Sequence, residues 1–291
     1  MQTNNTHISA KDRLRQKKRY RDLLSLLRGR KMLALTGAGC STESGIPDYR
    51  GPQSRQKKRN PIQYQEFVRS QEARARYWAR SYVGWPRFLQ AQPNDTHYAL
   101  AQCEQRGLIS GIITQNVDRL HHQAGSQHVV ELHGALEEVR CLSCQHVESR
   151  HTIQERLQLA NPQWHAHTSE YAPDGDAELA PDTTKTFQVP ACPRCQGILK
   201  PNVVFFGENV PKPIVAQSWA MLEQADVLLV LGSSLTVFSG YRFVRGAEER
   251  NIPVVIVNMG ETRGDKHASL TIEERLGLII PTLYEDLLHK A

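Results

Sequence analysis

Short, wholly apolar runs separated by amphipathic stretches set the frame of the chain. Residues 31–36 (KMLALT) lead straight into Gly37-Ala38-Gly39, which predicts a buried strand entering a glycine turn. Residues 109–114 (ISGIIT), 129–132, 226–232 (DVLLVLG) and 252–258 (IPVVIVN) predict four more strands with no polar alternation. Helical spacing lies between them at 96–106, closed by Gly107, and at 213–224 and 241–250, while residues 272–279 and 283–290 finish the chain. Apolar strands alternating with helices predict an α/β fold: a Rossmann-like, doubly wound parallel sheet covered on both faces.

Two stretches break this rhythm. Residues 51–94 are polar and aromatic, carry Pro52, Pro61, Pro86 and Pro93, and have helical content at 65–83. Residues 138–199 hold all the paired cysteines and a loop-like stretch, 164–185, rich in Asp, Pro and Ala. The expected organisation is a basic arm at 1–18 and a nucleotide-binding domain from 19–50, 95–137 and 200–291. A smaller inserted domain then combines a helical module, 51–94, with a metal-binding module, 138–199.

Charge changes the picture only at the N-terminus. Residues 1–31 hold ten Lys or Arg against two Asp, while the remainder holds 26 basic and 28 acidic residues. The arm, and the run Arg55, Lys57, Lys58, Arg59, are expected to be solvated surface rather than a nucleic-acid site, so nucleic acid is not an expected partner. No window of 18 apolar residues exists, so no membrane partner is expected. The N-terminus reads neither as a secretory signal nor as an acid-poor import sequence, given Asp12 and its lysines. A cytoplasmic monomer without disulfides is the expectation.

Cys141-x-x-Cys144 and Cys192-x-x-Cys195 supply two chelating pairs, with 47 residues between Cys144 and Cys192. Two such pairs make a tetrahedral thiolate site for one Zn2+, with Zn–S distances of about 2.3 Å. Four protein ligands leave no open position, so the zinc is expected to be structural. Cys40 and Cys103 are expected to be plain buried residues.

The glycine turn is a poor match to the common dinucleotide fingerprint. Its sixth position is Thr42, and Lys57, Lys58 and Arg59 stand where an acid is expected. Two glycines still let backbone approach phosphates at a helix N-terminus. The longer string at 37–52, GAGCSTESGIPDYRGP, closely resembles the signature of the sirtuin family. So do TQNVDRL at 114–120, ELHG at 131–134, PNVVFFG at 201–207, GSSL at 232–235 and NMG at 258–260, in the family's order and with the cysteine pairs among them. APDGD at 172–176 and FQVPAC at 187–192 further resemble its class II branch, whose mitochondrial member is linked to lipoamidase and ADP-ribosyl transfer.

The resemblance implies an NAD-dependent protein lysine deacylase. It would move the acyl group from an acylated protein lysine to ADP-ribose and release nicotinamide. NAD would lie against Gly37, Ala38, Gly39 and Ser41 at its pyrophosphate, with Asp48 and Arg50 ordering the cofactor loop and Tyr49 setting an aromatic face over the nicotinamide site. Gln115, Asn116, Val117 and Asp118 would line the ribose and nicotinamide pocket. Gly232, Ser233 and Ser234 would meet phosphate and ribose, and Asn258, Met259, Gly260 and Leu276 the adenosine end. Tyr49 replaces a common Phe, and Leu276 stands where several relatives have Cys.

In the family mechanism the acyl-lysine oxygen captures an electron-poor sugar carbon, and His133 acts as general base on a ribose hydroxyl. Asn116 and Asp118 complete the catalytic set by positioning. A histidine suits the task because its pKa lies near working pH. The substrate peptide would pair with the edge Val204, Phe205, Phe206 and Gly207, and a second edge at residues 237–240 would close over it. The same site admits mono-ADP-ribosyl transfer or lipoamide removal as alternatives. A non-catalytic, zinc-stabilised nucleic-acid-binding or scaffold protein is the reading from another class.

Overall fold

The computed structural model describes residues 9–49, 61–168, 170–172 and 174–288. Helices α1 (Ala10–Gln16) and α2 (Lys18–Leu27) lead into β1 (Met32–Thr36). Helices α3 (Tyr64–Arg69), α4 (Gln71–Phe88) and α5 (Asp95–Gln105) follow, then β2 (Ile109–Thr114), α6 (Leu120–Gln123) and β3 (Val129–Glu131). Next come β4 (Gly134–Cys141), β5 (Val147–Ser149), α7 (Arg150–Ala160) and β6 (Leu199–Val203). The chain ends with α8 (Lys212–Glu223), β7 (Val227–Leu231), α9 (Phe238–Glu249), β8 (Val254–Val257), β9 (Leu270–Ile272) and α10 (Leu276–Leu288).

Six strands form one parallel sheet in the order β3-β2-β1-β7-β8-β9. Strand order reverses between β1 and β7, so the crevice beyond their C-terminal ends is where an open α/β sheet binds ligands. Alternation within β1 divides the core. Met32 and Ala34 pack toward α2, α5 and α10, while Leu33 and Leu35 pack toward α8 and α9. Each of these side chains is essentially inaccessible, and burial of Met32, Leu33 and Leu35 contributes roughly 1.5–3 kcal/mol apiece.

The basic arm is not simply solvated. Ser9 caps α1 by accepting from the Asp12 amide at 3.1 Å. Leu14 is buried in the same cluster as Tyr20, Leu23, Ile279 and Leu283. Arg15 pairs with Asp286 at 3.0 Å, and the Tyr20 hydroxyl donates to Asp286 at 2.8 Å. Acids at the end of α10 thus match the arm's cations while one leucine anchors it; of the arm, residues 1–8 lie outside the described residues.

The two insertions share one core. Phe67, Tyr77 and Trp78 of α3 and α4 pack with Val139, Ile153, Leu157, Phe187 and Leu199. Ser70 splits the single predicted helix by capping α4, accepting from the Ala73 amide at 3.0 Å. Strands β5-β4-β6 form a three-stranded antiparallel sheet. The expected boundaries at 137/138 and 199/200 therefore fall inside strands of this second sheet: β4 begins at Gly134 and β6 runs on to Val203. No helix among the described residues is long and apolar enough to cross a membrane.

Candidate active site

Beyond β1 and β7 lies a cavity of about 960 Å³, at the upper end of the range usual for cofactor pockets. Its floor is two touching turns. The Gly37 amide donates to Leu231 O at 3.0 Å and the Gly39 amide to Gly232 O at 2.8 Å. A Cβ on Gly37 would sit 2.7 Å from Ser233 Cβ, and one on Gly39 2.8 Å from Gly232 Cα. Only glycines let the turns approach this closely, and the contact leaves the Ala38–Ser41 backbone facing the cavity.

Asn116 and Asp118 are bound to this floor. Asn116 Nδ2 donates to Gly37 O at 3.1 Å and to Ser41 Oγ at 3.0 Å. Ser41 Oγ donates in turn to Asp118 Oδ2 at 2.6 Å. Asp118 also accepts the Leu120 amide at 3.0 Å, so it caps α6 while it lines the cavity. Burial raises its carboxyl above the usual range, opposed by the Ser41 and Leu120 hydrogen bonds. Gln115 Nε2 donates to Ser233 Oγ at 2.7 Å and joins the two sides of the floor.

His133 sits in the link between the two sheets. Its Nδ1 lies 2.9 Å from Gln115 O. A carbonyl only accepts, so Nδ1 carries the proton and Nε2 presents its lone pair. Burial lowers its pKa, the Gln115 contact raises it, and the Arg242 guanidinium lowers it. The ring is thus held neutral at pH 7. Nε2 lies 2.7 Å from Ser239 Oγ, a contact the sequence reading did not foresee.

Of the other expected residues, Asp48, Tyr49, Val117, Gly232, Ser234, Asn258, Met259 and Leu276 line the cavity, as do Val204, Phe205, Phe206 and Gly207. Arg50 lies outside the described residues. Gly260 does not line the cavity: its carbonyl accepts from Asn258 Nδ2 at 2.9 Å and its amide donates to Glu273 at 3.2 Å. It shapes the turn that presents Asn258.

The proposed peptide edge is partly engaged. Phe206 O accepts the Tyr64 amide at 2.9 Å, the Phe205 amide donates to Glu208 at 2.9 Å, and the Val204 amide donates to His133 O at 2.8 Å. Phe205 is buried, with Phe67 and Tyr77 ring centroids each 5.2 Å away. The expected second edge at 237–240 is instead the start of a helix, with Val237 at its N-cap.

Several cavity residues were given no individual role by the sequence: Tyr77 from α4, Asp174 within APDGD, Ser239 within the expected second edge, and Arg242 and Arg263. Glu43 and Arg275 pair at 2.6 Å at the Leu276 end. Burial raises the Asp174 carboxyl, partly offset by Arg80.

At the second site all four cysteine sulfurs lie within 4.8 Å of one another. Cys141 and Cys195 are 3.5 Å apart, and Cys144 and Cys192 3.7 Å. Tetrahedral zinc with bonds of about 2.3 Å needs sulfurs about 3.8 Å apart, so the set fits a structural zinc ion. Although burial opposes it, the Cys144 and Ser143 amides lower the Cys141 thiol to about 6 and favour the ligating thiolate. Cys40 and Cys103 are buried with raised thiols, as inert cysteines should be.

The comparisons agree with this geometry. The Sir2 family model matches residues 37–239. An "NAD-dependent protein deacetylase" of Bordetella bronchiseptica is 53% identical over 242 residues, spanning 83% of this chain and 88% of that protein. The "NAD-dependent protein lipoamidase sirtuin-4, mitochondrial" of Bos taurus is 49% identical, over 87% of this chain and 82% of that protein. A solved structure described as "Sir2-p53 peptide-NAD+" superposes with a TM-score of 0.74 at 34% identity, covering 91% of this chain and 96% of the other. A family model that spans more than half of the chain, and relatives about 50% identical over most of it, show that the chain belongs to the Sir2 family, the sirtuins.

Proposed function

We propose that this chain is an NAD-dependent protein lysine deacylase acting first on acetyl-lysine. The observation that carries the reading is the state of His133: Nδ1 is fixed by a backbone carbonyl, and the unprotonated Nε2 lies on the wall of the cavity, where it accepts from Ser239. NAD, when bound, supplies an electron-poor sugar carbon and a hydroxyl to be deprotonated. The backbone of Gly37, Ala38, Gly39 and Ser41 holds its phosphates. Asn116 and Asp118 act by position and dipole, since both are already fixed to Ser41. Gly232, Ser233 and Ser234 face the phosphate and ribose, Asn258 and Met259 the adenosine. Asp48 and Tyr49 form the inner wall, and Val204 to Gly207 face the peptide.

The cysteine cluster holds one structural zinc, remote from this chemistry. The protein acts as a cytoplasmic monomer on acylated protein lysines. A second reading, lipoamide removal, is favoured by the reach of the cavity past Phe205 to Tyr77 and Asp174, which gives room for acyl chains longer than acetyl.

His133→Ala tests the assignment. Loss of a general base costs on the order of 10²–10⁴ in rate. The expected result is loss of acetyl-peptide turnover with fold and NAD affinity retained. Near-wild-type turnover in the folded variant would remove His133 from the reaction. A panel of acetyl, long-chain and lipoyl peptides, read by mass, distinguishes the two acyl classes and any transfer of ADP-ribose.

A further inference from the structure

The contact between His133 and Ser239 has a direction. Gln115 O can only accept, so neutral His133 is protonated on Nδ1 and Nε2 accepts the Ser239 hydroxyl proton at 2.7 Å. The lone pair that a general base needs is therefore already occupied. Imidazole nitrogen has one lone pair in the ring plane, so a sugar hydroxyl cannot bond to it directly while Ser239 stays in place.

The surroundings fit α9 closely to this point. Ser239 is the second residue of α9, is 7% exposed and lines the cavity. The next residue is Gly240, where a Cβ would lie 2.6 Å from Gln115 Oε1. The helix start thus presses against the residue whose carbonyl orients His133. A side chain at 240 would displace the Gln115 carboxamide that meets Ser233. Gln115 is in turn tied to Ser233 at 2.7 Å. Serine at 239 and glycine at 240 form one fitted contact.

We propose that Ser239 relays the proton in the general-base step. The substrate's sugar O–H bond breaks, and its proton passes to Ser239 Oγ. Ser239's own proton passes to His133 Nε2, forming the N–H bond of an imidazolium. Serine ends neutral, the charge rests on His133, and the sugar oxygen keeps the electron pair for its attack on the acyl carbon. The relay rests on the deacylase reading above.

The first test needs no cofactor. In the protein labelled with 15N-histidine, the wild-type His133 signals belong to the tautomer with the proton on Nδ1, and the Nε2 resonance carries the shift of a hydrogen-bonded acceptor. Ser239→Ala should move the Nε2 resonance toward that of a free acceptor and leave Nδ1 unchanged. The second test separates steps. Exchange of labelled nicotinamide into NAD precedes the base step, so Ser239→Ala should retain exchange and lose about 10²-fold in deacetylation. Ser239→Thr, which keeps a hydroxyl, should recover most of that loss.

An unmoved Nε2 resonance, full deacetylation in Ser239→Ala, or an equal loss in Ser239→Thr would each overturn the relay. So would a parallel loss of exchange and deacetylation, which would make the serine merely structural. Wild-type protein and His133→Ala, assayed beside these variants, report on the deacylase reading itself: if wild type does not turn over, that reading fails rather than the relay.

Discussion

Acidification should weaken this fold through a histidine pair behind the nucleotide turn. His97 is the third residue of α5 and belongs to its capping box: Asn94 accepts from the Thr96 amide at 3.0 Å, and the Asn94 amide donates to His97 Nδ1 at 3.2 Å. The ring is fully buried, lies with its centroid 4.8 Å from that of the His121 ring at a tilt of 57°, and leaves Nε2 without a partner among the described residues. Burial lowers its pKa from the ordinary 6.5 to about 4. His121, also buried, is pushed well down as well.

A histidine whose folded pKa is depressed contributes stability that is fully present above pH 6.5 and is lost as pH falls toward 4. At pH 5 the unfolded chain protonates nearly completely at this site and the folded chain hardly at all. The resulting loss is about 2 kcal/mol from His97 alone, a large part of the stability of an ordinary domain. His97→Gln removes the titration but keeps an acceptor for the Asn94 amide, since Gln serves at this capping-box position. Urea unfolding of both proteins at pH 7 and pH 5 gives a difference of differences. Carboxylates and zinc thiolates common to both proteins cancel in it. Wild type should lose about 2 kcal/mol more than the variant; equal losses would refute the argument. The effect reaches the site, because His121 Nε2 lies 2.9 Å from Thr36 Oγ1, which bonds Thr114 Oγ1 at 2.8 Å, which accepts the Asn116 amide at 3.1 Å.

Other substitutions separate structure from chemistry. Cys192→Ser should reduce bound zinc from one per chain to well below one, by metal analysis, and loosen the small sheet before the large one, by hydrogen exchange. Gly232→Ala places a methyl 2.7 Å from the Cys40 amide at a φ of +60°, at a strain of about 1–3 kcal/mol. NAD affinity measured by calorimetry should fall sharply, with both sheets still folded. Phe205→Ala should cost about 3–5 kcal/mol in unfolding free energy because it leaves the Phe67–Tyr77 cluster, whereas the more exposed Phe206→Ala should raise the peptide KM and leave stability nearly unchanged.

The parallel sheet was legible because its strands are apolar on both faces: residues 109–114 were bounded correctly, and the other predicted strands to within two residues at each end. The metal cluster was legible because chelate spacing is local. Helix α1 was hidden by its charge, since Leu14 is its one large apolar residue and its partners Glu285 and Asp286 lie about 270 residues away. Strands β4 and β6 were hidden because their pairing is irregular, with a register shift between Gly134 and Val139. The Ser239 contact spans 106 residues and joins a loop to a helix start. No periodicity reports on such a meeting, and serine followed by glycine is common at helix starts and turns alike.

The position of His133 explains why one residue can serve this site. The preceding amide, of Leu132, donates to Thr114 O in the large sheet, and the carbonyl of His133 accepts from Val204 at the end of the small sheet. Gly134 makes the passage possible. It sits at a φ of +75°, and a Cβ there would lie 2.0 Å from Asn202 O. The backbone of His133 is therefore held from both sheets, on the wall of the cavity. Its ring is held from a third direction by Gln115 and Ser239. In the proposed mechanism this sets the orientation of the base during folding, so that it does not have to be found again at each turnover, which is how preorganised groups lower a barrier. The same geometry makes the zinc module matter to catalysis at a distance. Strands β4 and β6 both run from the cysteine cluster to the neighbourhood of His133, so loss of the metal is expected to loosen one of the two backbone anchors of His133, the base of the proposed mechanism.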